Sequence, residues 1–463
     1  MTGVRQLWPP RYDATIRPPD AAVHWDALRE TISADERAVL VFAKIQAVMQ
    51  YAWERAPFYR DRWRAAGLEP GDIRSLDEFE RIPTITKADL RADQADHPPF
   101  GSYLCIEPPA IARVHGTSGT SGRPTAFAWS RGDRDRIAEA HAHIMWSFGI
   151  RPHDTVFIGS IFSLYVGSWG ALAGTERLGA AAFPFGAGVP GQTLQAIGWI
   201  RQMRPTAFYG TPSYALRLAE TARTQGIDPA GLGLRTMFFS GEPGAGIPAT
   251  KRLIETTFGA DCIDTGSMGE LTPWMNLAEC RERHGMHLWQ DFVYTELLDP
   301  TTWRRVPFGG RGTPVYTHLE RDTQPMIRLI SGDYAEWTDA PCACGRTYPR
   351  FPLGIIGRID DMIVVRGENI YPSAIEDVLR SFPEIDGEFE VVLTRERQMD
   401  ELLIRVESAA DAGDAAALTA RIAGSLRTTL GVRSALELCA PGSLARTDLK
   451  SRRVRDLRNG ARE

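Results

Sequence analysis

TAFYGTPSYALRLAETARTQG, residues 206–226, reads as a strand, a polar turn and a helix in succession. The apolar run stops at Gly210, Thr211-Pro212-Ser213 makes the turn, and a helical segment follows. Similar units lie on both sides. TVFIGS leads into GSWGALAGTERLG, AAFPFG into TLQAIGWIRQMRP, and TMFFSGE into PATKRLIETTFG and then CIDTGS. Repeated strand–helix–strand spacing predicts a parallel, doubly wound sheet. The loops at the carboxyl ends of such strands carry function. YGTPSY and SGEPG, with Ser240, Gly241, Glu242 and Pro243, are therefore marked as ligand loops.

Outward from this core the pattern changes. Residues 24–67 are helical and rich in aromatics, with the proline of ERAPFY ending the first long helix and FYRDRWRAAG restarting a short one. SLDEFERIPTITKADLRAD predicts a short helix, a turn, and a helix capped by Thr86. Residues 287–340 read as antiparallel strands. Beyond them come a helix capped at Ser373, a hairpin, a helix and a strand, enough for a small α+β domain. The expected fold class is α/β: a large N-terminal domain of doubly wound sheets and helices over 1–356, then a small α+β domain over 357–463. A helical N-terminal segment spans about 24–95.

The chain has 463 residues, too many for one ordinary core. It is 43% hydrophobic and 24% charged, as in soluble globular proteins. A net charge of −5 offers no global attraction to nucleic acid or to an anionic membrane. There is no apolar stretch long enough to span a bilayer, and the first twenty residues lack the apolar core of a signal peptide. Six cysteines are too sparse for a disulfide framework. A cytoplasmic protein is expected, and assembly as a homodimer stays open.

HGTSGTSGRPT, residues 115–125, can offer backbone N–H groups and hydroxyls to a polyphosphate. It is not a kinase-type phosphate loop, because Arg123-Pro124-Thr125 follows Gly122. Alone, such a loop is more often a connector. Further on, SGDYAEW puts Asp333 in a turn, GRIDDMIVVRGEN carries Arg358, Asp360 and Gly367, and LARTDLKSRRVRD carries Lys450 in a polar loop. Singly these are a turn aspartate, a solvated ion pair and a surface lysine. Their order is the informative feature.

With these motifs in this order, the chain resembles the phenylacetate–coenzyme A ligase branch of the adenylate-forming superfamily. APFYRDRWRAAGLEPGDIRSLDEFERIPTITKADLR, RVHGTSGTSGRPT, HLWQDFVYTELLDP, CACGRTYPRF and GRIDDMIVVRGENIYPSAIEDVL carry the resemblance, which covers nearly the whole chain. It implies activation of a carboxylate by ATP to an acyl-adenylate, with Mg2+, and then transfer to a thiol, usually that of coenzyme A. Thr117, Ser118, Gly119, Thr120, Ser121 and Gly122 would wrap the β- and γ-phosphates. Lys450 would lie by the carboxylate and α-phosphate, and Asp333 would accept from the ribose hydroxyls with Arg358 close by. Asp360 would be the hinge of a mobile C-terminal domain, and Gly367 would mark the loop swung to the thiol channel. Other acceptors known in the branch are an amine, a carrier-protein thiol or AMP transfer to another cofactor. A non-catalytic nucleotide- or zinc-binding scaffold is the remaining alternative.

The sequence departs from the superfamily's Tyr-Gly-x-Thr/Ser-Glu motif. DTGSMGE puts Thr265 at the aromatic position, followed by Gly266, Ser267 and Met268, with one extra residue before the metal-binding Glu270. Leu449 also stands where glycine is usual in the lysine motif. Cys280, His287, Cys342 and Cys344 make a Cys3His set within a subregion of about 280–350, with His284 a competing ligand. Their spacing alone favours incidental residues, whereas the resemblance implies a structural zinc. Phe162, Tyr165, Trp169 and Tyr214 fall on segments that the family uses near its acyl pocket, and ordinary core packing weighs equally. An aryl or arylacetic acid is the implied substrate.

Overall fold

The structure is a computed structural model. It describes residues 8–117, 125–164, 166–186, 191–272, 275–359, 361–366, 368–385, 387–396, 399–409, 413–445 and 453–458. Ser118–Gly122, Tyr165, Asp360, Gly367 and Lys450, all named above, lie outside the described residues.

The N-terminal segment folds as α1 (Ala27–Thr31), α2 (Ala34–Arg55), α3 (Pro57–Ala65), α4 (Leu76–Phe79) and α5 (Lys87–Asp96). Ser33 and Glu36 close a capping box on α2, and Pro57 starts α3 where a missing N–H costs nothing. Thr86 caps α5 as expected, in a box with Asp89. An antiparallel hairpin of β1 (Ile111–Gly116) and β2 (Ala126–Ser130) comes next and runs into α6 (Arg131–Ser147).

The predicted alternation follows as β3 (Thr155–Ile158), α7 (Gly167–Leu178), β4 (Ala181–Phe183), α8 (Gln192–Met203), β5 (Ala207–Gly210), α9 (Pro212–Thr224), β6 (Thr236–Phe239), α10 (Pro248–Phe258) and β7 (Asp261–Gly266). These five strands are parallel. β8 (Leu277–Glu279) and β9 (Met286–Leu288) extend the same sheet antiparallel to β7. Successive residues of the parallel strands enter two different cores. Val156, Ile158, Tyr209 and Phe238 join one cluster, while Phe157, Phe208, Met237 and Phe239 join the other. With both faces buried, β3, β5 and β6 are largely apolar rather than alternating, whereas β7 carries Asp261, Asp264 and Thr265.

A second, antiparallel sheet contains β10 (Val293–Leu298), β11 (Arg311–His318), β12 (Leu329–Ile330) and β13 (Asp333–Glu336). β14 (Arg350–Phe351) returns to β9, and β15 (Ile355–Arg358) pairs with β13. Asp333 is thus the first residue of a strand, not a turn residue. The turn falls one position earlier, at Gly332 with φ +78°.

The C-terminal part is built from β16 (Ile363–Val365), β17 (Glu368–Ile370), α11 (Pro372–Arg380), β18 (Phe389–Glu396), β19 (Met399–Glu407), α12 (Ala415–Leu430), β20 (Ala435–Cys439) and β21 (Val454–Asp456). Its strands pair in the order β20-β19-β18-β21 over a separate apolar cluster. Ser373 does not cap α11. Pro372 already occupies the first turn, Tyr371 stands at the N-cap, and the Ser373 hydroxyl donates to the Ile356 carbonyl at 2.6 Å.

Candidate active site

The carboxyl ends of the parallel strands deliver the expected loops to one edge of the large sheet. After β6, Ser240 is buried and shares a 2.7 Å hydrogen bond with the Tyr209 hydroxyl of β5. Gly241 takes φ +97°, a conformation open to glycine at no steric cost. The Glu242 carboxylate then accepts from the Ser213 amide at 2.8 Å, which ties SGEPG to the turn after β5. The two loops marked from sequence are therefore one hydrogen-bonded unit.

After β7, Thr265 is buried and donates to the Phe239 carbonyl at 2.7 Å. A Cβ at Gly266 would lie 2.7 Å from Leu277 Cδ1, so a side chain there would press on Leu277 of β8. Ser267 and Met268 turn the chain back through the bonds Leu271 N to Met268 O and Thr272 N to Met268 O. Glu270 is buried, with Lys87 of α5 3.4 Å from its carboxylate. Its carbonyl accepts from Arg321 at 2.6 Å. Arg321 is buried against the Trp129 ring, 4.0 Å from its centroid, and burial draws its guanidinium down to about 10.

Lys87 and Arg321 escape the sequence reading. The glutamate they support lies about 180 and 50 positions away, with no local pattern to join them. For Lys87 the available signal is its place in the first turn of α5. For Arg321 there is none.

Only the edges of the hydroxyl-rich loop are described. The Thr117 amide donates to the Thr125 carbonyl at 3.1 Å, so the segment leaves and rejoins the β1–β2 hairpin at one point. A Cβ on Gly269 would touch Thr117 at 3.6 Å and Val166 at 3.8 Å, which brings the hairpin mouth beside the Glu270 turn. His115, just before the loop, is buried next to Arg113. Desolvation and that charge push its imidazole down to about 4, so it is neutral at pH 7.

Asp333 and Arg358 reach the same region from the second sheet. They are register partners, with Arg358 Nη1 donating to Asp333 Oδ1 at 3.2 Å. The buried Tyr316 phenol is pushed up by desolvation and by the Asp333 charge. The Asn276 main-chain N–H donates to the Gly266 carbonyl at 3.1 Å.

Of the candidate acyl-pocket aromatics, Phe162 and Trp169 pack edge to face, their centroids 5.1 Å apart. Tyr214 is buried in the second core and stacks on Phe208 at 6.3 Å.

Cys280, His287, Cys342 and Cys344 converge, with their ligand atoms all within 4.8 Å of one another. Cys280 Sγ and Cys342 Sγ are 3.8 Å apart, and Cys344 Sγ is 3.4 Å from His287 Nε2. Two thiolates about 2.3 Å from a tetrahedral ion would be separated by about 3.8 Å. A hydrogen bond from Cys280 and the nearby His287 hold the Cys344 thiol well below the usual range. His284 is not part of this group; its carbonyl accepts from Arg350.

Residues 367–458 match the family of AMP-binding enzyme C-terminal domains. Over 448 residues the chain is 33% identical to a phenylacetate-coenzyme A ligase of Thermus thermophilus, covering 93% of this chain and 98% of that one. It superposes with a TM-score of 0.94 on a crystal structure of 2-hydroxyisobutyryl-CoA ligase in the postadenylation state with R3-HIB-AMP. Identity there is 53%, over 98% of this chain and 96% of the other. Against the same ligase with 2-HIB-AMP and CoA in the thioesterification state, identity is 54% at the same coverage, but the TM-score is 0.76.

Proposed function

The chain belongs to the phenylacetate–coenzyme A ligase family, and from that premise we propose that it activates a short, branched 2-hydroxy acid rather than an arylacetic acid. The reaction class is that of an AMP-forming acid–CoA ligase: ATP activates the carboxylate as an acyl-adenylate, and the coenzyme A thiol then displaces AMP. One contrast carries the choice of acid. The chain is 53% identical to a ligase whose structures hold 2-hydroxyisobutyryl adenylate, against 33% for the Thermus phenylacetate ligase. The packing of Phe162 against Trp169, and of Tyr214 into the core, supports a small pocket, since these rings fill space instead of framing a flat slot. ATP–pyrophosphate exchange over a panel of carboxylic acids tests this. Highest exchange with 2-hydroxyisobutyrate is expected, and higher exchange with phenylacetate overturns it.

Within this reaction the hydroxyl-rich loop from Thr117 to Gly122 takes the β- and γ-phosphates. Lys450 offers a point charge by the α-phosphate, where charge develops. Asp333 accepts from the ribose hydroxyls, and Arg358 fixes its carboxylate. The buried Glu270 carboxylate is a hard oxygen ligand suited to Mg2+, which supplies charge neutralisation when bound. Lys87 balances that carboxylate otherwise. Residues 357–463 move as a unit about Asp360, so that Lys450 withdraws and the Gly367 loop approaches the thiol.

The Cys3His group suits a structural zinc ion. Its donors include three soft thiols, the Cys280–Cys342 spacing matches tetrahedral thiolates, and it lies on the turn after β8, on β9 and on the loop before β14. Such an ion pins CACGRTYPRF to the sheet. Arg346 of that loop reaches Glu30 at 2.7 Å, which extends the anchor to the N-terminal helices. Six free cysteines and no helix long and apolar enough to cross a membrane, among the described residues, support a cytoplasmic setting.

A further inference from the structure

Helix α10 lacks a cap of its own. Its N-cap is Ile247, which has no acceptor, and its first residue is Pro248, which has no N–H. The first amide needing a partner is that of Ala249. It finds one 128 residues away, where Asp377 Oδ1 of α11 accepts from it at 2.8 Å. The adjacent Glu376 accepts from the fully buried Thr250 hydroxyl at 2.9 Å. The second oxygen of Glu376 holds Arg453 Nη1 at 2.7 Å, while Arg453 Nε rests on Glu388 at 2.8 Å. Arg453 is also drawn to Glu242 of the SGEPG loop.

The receiving ledge is stiff. A Cβ on Gly244 would fall 2.7 Å from Pro212, and one on Gly246 would fall 2.5 Å from Asp264, so the loop feeding α10 is wedged between α9 and β7. Whatever docks on the start of α10 is thereby fixed relative to the nucleotide loop. Arg453 lies three residues beyond Lys450. As a whole, the chain superposes with a TM-score of 0.94 on the postadenylation-state structure and 0.76 on the thioesterification-state structure.

We propose that Asp377, Glu376 and Arg453 form a clasp that holds the C-terminal unit over the nucleotide loop for adenylation and opens before thioester formation. They act as positioning residues for the first half-reaction. Asp377 supplies the missing cap, and Glu376 ties it to Arg453, three residues beyond Lys450 in the sequence. The proposal rests on the reading that Lys450 serves adenylation and that residues 357–463 move.

The test uses the full chain with 2-hydroxyisobutyrate, or with phenylacetate if the acid panel selects it. Two rates are compared: ATP–pyrophosphate exchange, and thioester formation from the preformed acyl-adenylate and CoA. Asp377→Ala is expected to slow exchange about three- to tenfold, the scale of a lost cap, with thioester formation unchanged or faster. Asp377→Asn, which keeps an acceptor oxygen, restores exchange to near wild type. Glu376→Gln slows exchange by freeing Arg453. Equal losses in both half-reactions, or no loss of exchange in Asp377→Ala and Glu376→Gln, overturn the clasp. Lys450→Ala is run alongside: if exchange survives it, the Lys450 reading fails, whereas the clasp is still judged by the split between the two rates.

Discussion

Asp333 and Arg358 stand opposite each other at the ends of two antiparallel strands, with Arg358 Nη1 bonded to Asp333 Oδ1 at 3.2 Å. Both are partly exposed, so the pair contributes little to stability, and its value is geometric. A carboxylate held by a guanidinium keeps one edge oriented for hydroxyl donors. Asp333→Ala is expected to raise the KM for ATP by roughly ten- to a hundredfold, the range for hydrogen bonds to a charged group, with little change in melting temperature. Steady-state kinetics in ATP and a thermal melt on the same preparation check this.

Glu270 is expected to matter through its charge. Glu270→Gln preserves shape and leaves the Arg321 bond to the main chain intact. It should lower pyrophosphate exchange by about a hundredfold and raise the Mg2+ needed for half-maximal rate. A Mg2+ titration of exchange reads both effects. Wild-type Mg2+ dependence in the variant would remove Glu270 from the metal site.

The Cys3His group should hold about one zinc per chain by elemental analysis, the number its four ligands allow. Chelation, or Cys342→Ser, is expected to lower the melting temperature by roughly 5 °C or more. Residual activity at low temperature should fall only in proportion to the unfolded fraction. A zinc-free chain that melts at the same temperature as the loaded one would rule out a structural ion.

Asp264 gives stability a pH dependence. Burial, then the nearby Glu279, raise its carboxyl to about 7, and Lys251 only partly offsets them. In the unfolded chain the group ionises near pH 4. Between these values the native state binds the extra proton, so stability from this group is intact below about pH 4 and is lost as pH rises through about 7. Asp264→Asn should melt higher than wild type at pH 8 by more than it does at pH 5. Melts at the two pH values decide it.

The parallel sheet was legible because its strands are buried on both faces, and such strands read as short apolar runs between helices. The Cys3His group was named from the sequence with His287 in it and His284 as the competitor, and β9 gives the reason, sending one histidine to the cysteines and leaving the other in the turn before it. Asp333 was found, but its strand setting was not, because a two-residue offset from Ser331 to Asp333 reads as a turn in any local window. Tyr214 reads equally as pocket or core until Phe208 is seen beneath it.

By itself the sequence determined the motif order, the loops after each parallel strand and the chemical types gathered for adenylate formation. All of these depend on neighbours along the chain, through turn chemistry and apolar spacing. Only the tertiary structure decided which partners hold them: Lys87 on Glu270, Arg358 on Asp333, and Asp377 at the start of α10. These are contacts between polar groups far apart in the chain. Charge and hydrogen bonding act at a few ångströms, and local pattern carries no record of what the fold brings that close.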